Sequence, residues 1–279
     1  MGKTVFLMVA LMLLFMFVGY QVGGAQGMVT AFWTAGAINF SSYFFSDKLV
    51  LMQYKATPAR ADNAPELYHI VEKLARKANL PMPKVYIIPE QVPNAFATGR
   101  NPQHAAVAAT QGLLNLMNSE EIEGVLAHEM SHVRHYDILI GSIASIFAGA
   151  IAMLGNFARY TGNNQQGRSG GIGYILAIIL MPIAATIIQM SISRTREYKA
   201  DEGAARLTNH PEWLMSALSK LEGYANNYQM RNVNMQTAHL FIINPFGGIK
   251  GLSSLFATHP STKDRIARLE RIKKQLAEN

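Results

Sequence analysis

The chain has no cysteine among its 279 residues, which excludes a disulfide framework and a thiolate metal site and fits a reducing compartment. Charge is scarce as well. Asp, Glu, Lys and Arg make up 15 % of the residues against 49 % hydrophobic ones, less charge than an ordinary soluble surface carries. The scarcity is also uneven: no charged residue falls in 4–46, 138–158 or 172–193. No glycine-rich phosphate loop is present, so nucleotide binding and ATP-driven action are not expected.

A membrane-spanning helix takes about 17–25 apolar residues. The first charge-free stretch therefore holds two spans, 4–20 and 28–46, with the glycine-rich 19–27 as their turn. The other two hold a third span, 138–158, and a fourth, 172–193, joined by a polar, glycine-rich link. A competing reading makes the first span a cleaved signal peptide, since Lys3 precedes the apolar core and Gly23, Gly24 and Ala25 follow it. The second apolar stretch follows at once, which favours a hairpin. For the third and fourth spans the competing reading is a pair of buried core helices, and their length without charge argues against it.

The basic residues set an orientation. Lys3, Lys48, Lys55, Arg60, Arg134, Arg194, Arg196 and Lys199 fall on one side of the four spans, and only Arg159 and Arg168 on the other. The positive-inside tendency then places both termini and the bulk of the chain in the cytoplasm. The net charge of +7 and pI near 9.5 have a sufficient partner in anionic lipid headgroups, because much of the basic excess lies beside spans or in 263–274. No nucleic-acid motif accompanies it.

Against this background stands His128-Glu129-Met130-Ser131-His132, immediately before the third span. On a helix, residues i and i+4 share a face, so His128 and His132 can turn ring nitrogens to one zinc ion while Glu129 stands beside it as a general base for water. Asn118 or Ser119 can cap the helix, and Glu120, Glu121 and Glu123 load its positive end. A third ligand is required. A third histidine six residues on is absent, since that position is Ile138. Glu197 and Asp201, again i and i+4, follow the fourth span. An antiparallel pair of spans returns them to the face that carries the histidines. Glu197 is then the expected third ligand, and Asp201 the acceptor for the far nitrogen of a liganding histidine.

Together with Asn94-Ala95-Phe96-Ala97-Thr98-Gly99 and Thr258-His259-Pro260, these segments resemble, in order and in placement relative to the spans, the HtpX family of bacterial membrane zinc proteases. The resemblance covers nearly the whole chain. It implies a gluzincin-type fold, one zinc on His128, His132 and Glu197, Glu129 as catalytic acid/base, and a role in quality control of misfolded or damaged membrane proteins at the bacterial inner membrane, a stress-response task. It also places His259 near the site, where its imidazole could stabilise an oxyanion, although a lone histidine in a turn ordinarily reads as a surface residue. Asn94, Ala95, Phe96 and Ala97 read equally as a core strand or as an edge strand for an extended substrate, and the resemblance favours substrate binding. His69, His104, His135, His210 and His239 are read as ordinary histidines.

The remaining pattern predicts an amphipathic helix over 64–79, short strands at 85–88, 94–98 and 105–110, and helices after the turn at Pro211 and after Pro260. The segment 226–257 reads as irregular, either a cover over the cleft or a connector. The expected fold class is a mainly α integral membrane protein. It comprises a transmembrane hairpin (1–47), the first part of a cytoplasmic gluzincin-like α+β zinc-protease domain with a small β-sheet (48–137), a second hairpin (138–193) and the second part of that domain (194–279). The alternative function is a membrane chaperone or scaffold with structural zinc. Three protein ligands and a neighbouring Glu argue for the open, catalytic kind of site instead.

Overall fold

A computed structural model of the chain describes residues 2–144, 193–227 and 260–278. The first helix, α1 (Gly2–Phe44), is broken at Gly23 and Gly24, where Gly24 takes φ 58°, a left-handed conformation open to glycine without steric cost. The two halves fold back on each other. Asn39 Nδ2 donates to the Met8 carbonyl at 3.1 Å, and Leu7, Leu11 and Phe15 share a buried cluster with Ala35. Phe6, Leu13, Phe17, Trp33 and Phe40 point outward and exposed, an apolar surface of the kind that lipid covers. Among the described residues, Thr4–Gln21 is the stretch long and apolar enough to cross a membrane. The second half is diluted by hydroxyl groups, two of which, Thr30 and Thr34, bond back to the carbonyls of Gln26 and Thr30.

Helical residues 138–144 add Leu139, Ile143 and Ala144 to the cluster of the hairpin, so the start of the expected third span lies beside the first two. The rest of that span, nearly all of the fourth and their link lie outside the described residues, as do 228–259 with His259.

The body of the protein is built on a four-stranded sheet in the order β1 (Thr57–Ala59), β2 (Lys84–Ile88), β4 (Ala105–Thr110), β3 (Ala95–Gly99). β2 and β4 run parallel, and the outer pairs run antiparallel. Both faces of β3 and β4 are buried, which explains their unbroken runs of small apolar residues. One face, with Val85, Ala95, Ala97, Val107 and Ala109, joins the main core. There it meets α3 (Pro65–Ala78), whose stripe of Leu67, Ile70, Val71 and Leu74 is buried, and α5 (Ser119–Arg134). The other face, with Ile88, Phe96, Ala106 and Ala108, packs under Val50 and Leu51 of α2 (Ser46–Gln53). A short helix, α4 (Gln111–Leu116), leads from β4 towards α5.

α5 is the central element. Asn118 Oδ1 accepts from the Glu121 amide at 2.9 Å, while Glu121 Oε2 accepts from the Asn118 amide at 3.0 Å, a reciprocal cap on the exposed donors of the first turn. Glu121 also accepts from Lys220 Nζ at 2.6 Å and from the Ser216 hydroxyl at 2.7 Å, tying α5 to α7 (Pro211–Asn227). Val125, Leu126, Ala127 and Met130 are fully buried. α6 (Arg194–Thr208) crosses α5 closely enough that a Cβ at Gly203 would run into the Ser131 side chain. Glycine there lets the two helices that carry the site approach. The last helix, α8 (Thr262–Ala277), buries Leu269 in the same core.

Candidate active site

The close crossing of α5 and α6 brings three donor groups to one point. His128 Nε2 lies 3.2 Å from His132 Nε2, 3.7 Å separates His128 Nε2 from Glu197 Oε2, and 3.6 Å separates His132 Nε2 from Glu197 Oε1. Donors about 2.0–2.1 Å from one ion at tetrahedral angles stand roughly 3.4 Å apart, and three protein ligands leave the fourth position open. Two imidazoles and a carboxylate at these separations fit zinc, and the donor atoms all lie within 4.8 Å of one another.

Each histidine is held from behind by a carboxylate. His128 Nδ1 lies 2.9 Å from Asp201 Oδ1. Arg265, from α8, donates to the same carboxylate twice, Nε to Oδ2 at 2.9 Å and Nη2 to Oδ1 at 2.6 Å. All three side chains are buried. His132 Nδ1 faces Asp137 Oδ2 at 3.3 Å, and Asp137 Oδ1 faces Arg196 Nη1 at 3.4 Å. The position of Asp137 is set by the end of α5. Tyr136 adopts φ 60°, its amide bonds to the Val133 carbonyl, and the Asp137 amide bonds to the His132 carbonyl. This left-handed termination turns the chain back on its own last turn.

These surroundings separate the charge states of the two rings. Burial pulls His128 down to about 4 against the pull of Asp201, so it is a neutral imidazole donating Nδ1–H and presenting a lone pair at Nε2. Burial opposes charge on His132 too, but the Asp137 hydrogen bond and the carboxylates of Glu197 and Glu129 outweigh it and lift that ring to about 9. Asp201 is held down near 2: burial would raise it, and Arg265 outweighs burial. Glu129 is buried beside the cluster, with Oε2 accepting from the Ala97 amide of β3 at 2.9 Å. Burial pushes its carboxyl up to about 7, a range suited to taking and returning a proton at neutral pH.

β3 is an edge strand. Its inner side pairs with β4, while the amides of Ala97 and Gly99 turn away to Glu129 and to the Ser142 hydroxyl. Glu129 thus links this backbone edge to the helix that carries the two histidines.

The profile of peptidase family M48 matches residues 61–273. The chain belongs to that family. It is 66 % identical to a protease HtpX homolog of Campylobacter curvus over 98 % of both chains. A protease HtpX homolog of Pyrococcus furiosus is 50 % identical to it over 97 % of this chain and 95 % of its own. Among solved structures it is similar to that of S. mikatae Ste24p, at 21 % identity and TM-score 0.49, covering 96 % of this chain and 62 % of the other. This M48 chain is a metalloprotease, with an apolar helix of membrane-crossing length near its N-terminus.

Of the site residues expected from the sequence, the structure brings His128, Glu129, His132, Glu197 and Asp201 into one cluster and sets Ala97 against Glu129. Asn94, Ala95 and Phe96 lie in or beside β3 and are buried. Asn94 bonds through its amide to the Thr110 hydroxyl at 2.9 Å. His259 lies outside the described residues. Arg265, Asp137 and Arg196 were not anticipated. Asp137 carried a weak signal, standing next to the motif before a charge-free stretch, whereas nothing local sets Arg265 apart from the other basic residues of α8.

Proposed function

We propose that the chain is a zinc endopeptidase of the bacterial inner membrane, with four spans and the active site at the cytoplasmic face, cleaving misfolded or damaged membrane proteins without ATP. The observation that carries the reading is the cluster of His128, His132 and Glu197 donors, with the Glu129 carboxyl beside it and bonded to the β3 edge. Zinc held there supplies Lewis acidity, polarising a carbonyl and bringing the pKa of water towards about 7. The two histidines and Glu197 hold the ion, and Asp201 keeps the His128 lone pair on Nε2. Glu129 takes a proton from the attacking water and returns it to the departing amine. The edge at Asn94–Ala97 aligns an extended substrate backbone beside the metal donors. His259 is the residue we assign to the developing oxyanion. Anionic lipid is the expected neighbour of the basic residues that flank the spans.

The test is Glu129→Gln against wild type in detergent, scored for zinc per chain and for cleavage of an unfolded protein. The expected result is about one zinc in both and cleavage by wild type only, with a loss of at least 100-fold, in the range of about 10²–10⁴ that a general base contributes. Zinc in both without cleavage by either, across several substrates, would overturn the protease reading in favour of a chaperone or scaffold with structural zinc.

A further inference from the structure

Arg265 is among the largest fully buried side chains described, at 1 % exposure. An unpaired buried guanidinium is costly, yet this one sits on the helix farthest in sequence from the metal-motif helix and reaches into the rear of the site. Its two donors grip Asp201 in the side-by-side geometry that only a planar fork provides. The same Nη2 lies 3.4 Å from His128 Nδ1. One turn on, the Arg268 guanidinium rests on the Tyr198 ring at 3.9 Å, and Tyr198 is the neighbour of Glu197. α8 therefore holds the ligand-bearing helix α6 through two arginines, one of them in the core.

We propose that Arg265 is a positioning residue for metal binding, acting through Asp201 on His128. With both Asp201 oxygens engaged by the guanidinium, the carboxylate cannot rotate, and Oδ1 is fixed where the imidazole Nδ1–H meets it. That locks the ring plane and the tautomer, and it leaves the Nε2 lone pair directed at the point shared with His132 and Glu197. A lysine would neutralise Asp201 but hold it at a single point, leaving the carboxylate, and with it the ring, free to turn.

The inference rests on the metal-site reading above, and its test is read in metal affinity rather than proteolysis. In the full-length detergent-solubilised protein, Arg265→Gln is expected to weaken zinc binding by about 10–100-fold, the range seen when a partner behind a liganding histidine is lost, with Arg265→Lys in between. The ligand-field spectrum of the cobalt-substituted protein is expected to change in Arg265→Gln, which a packing role would not produce. Should Arg265→Gln fail to fold because it strands Asp201, the double variant Asp201→Asn with Arg265→Met removes both buried charges. Because Arg265 acts through that carboxylate, the double variant is expected to bind zinc at least tenfold more weakly than wild type and no more weakly than Asp201→Asn alone, and a further loss beyond the single variant would overturn the proposed route. Wild-type affinity and an unchanged cobalt spectrum in whichever variant folds would overturn the proposal. If wild type itself binds no zinc or cobalt, it is the metal-site reading that fails.

Discussion

The two histidines of the motif share a helix and a function but not an environment. His128 is sealed at 2 % side-chain exposure, behind a carboxylate that a buried arginine grips with two bonds of 2.6 and 2.9 Å. His132 is 15 % exposed, its partner Asp137 stands at 3.3 Å, and Arg196 in turn stands 3.4 Å from Asp137. Burial wins at His128 and keeps the ring neutral, whereas three carboxylates win at His132 and keep it charged. The difference follows from where the partners originate. Asp201 and Arg265 come from the buried faces of α6 and α8, whereas Asp137 lies just past the end of α5 and Arg196 in the first turn of α6, next to the expected second hairpin. One ligand is preorganised by the fold and the other lies at its margin.

Breaking the rigid side should cost the most. Asp201→Asn removes the charge that Arg265 grips with two bonds and weakens the acceptor behind His128, so zinc affinity is expected to fall by about 10–100-fold. Thermal stability should fall with it, because removing one member of a buried pair costs roughly 3–5 kcal/mol. Chelator competition and a melting curve on the same preparation check both. A loss of affinity no larger than that at Asp137 would remove the asymmetry.

Much of this side was legible in the sequence, and the reason is periodicity. His128, His132, Glu197 and Asp201 are related in pairs by four residues on helices, and the charge-free stretches between them suggested how the pairs could meet. The strands at 105–110 and 85–88 were equally plain, since their apolar runs are short and bounded by turn residues. β1 was not, because three residues with Pro58 at the centre carry no alternation and are recruited only by pairing with β2. Arg265 was hidden for a related reason: on α8 it is one of several basic residues, and only the tertiary packing of that helix against α6 distinguishes the one that is buried. Asp137 depends on the left-handed turn at Tyr136, a conformation that tyrosine rarely adopts and that no local pattern announces.

The contrast in charge state makes a sharper test than either mutation. Around pH 8 His128, with its pKa near 4, has no proton to give up, while His132, near 9, does. A metal ion competes with that proton for Nε2, so binding releases one proton and affinity rises with pH. Between about pH 7.5 and 8.5 the apparent zinc affinity is expected to rise about tenfold per pH unit and to level off above about 9. Isothermal titration in buffers of different ionisation enthalpy counts the protons directly. Release of two protons would mean that both rings are charged and that the environments do not differ as described.

The smallest effect is expected at Asp137, where two consequences oppose each other. Asp137→Asn removes the charge behind His132 and loosens the ring, which weakens binding. The same change takes away the hydrogen bond that does most to raise the His132 pKa, so the ring gives up its proton at lower pH and competes less with the metal. At pH 8 the two nearly cancel, and the net loss in zinc affinity is expected to be about 2–5-fold, below the 10–100-fold typical of a partner behind a histidine ligand. The plateau in affinity should move to lower pH by about one unit, since losing a charged partner shifts a neighbouring pKa by about 1–3 units. A histidine whose proton is governed by burial alone would keep its plateau in place, and that outcome would make His132 the equivalent of His128 rather than its counterpart.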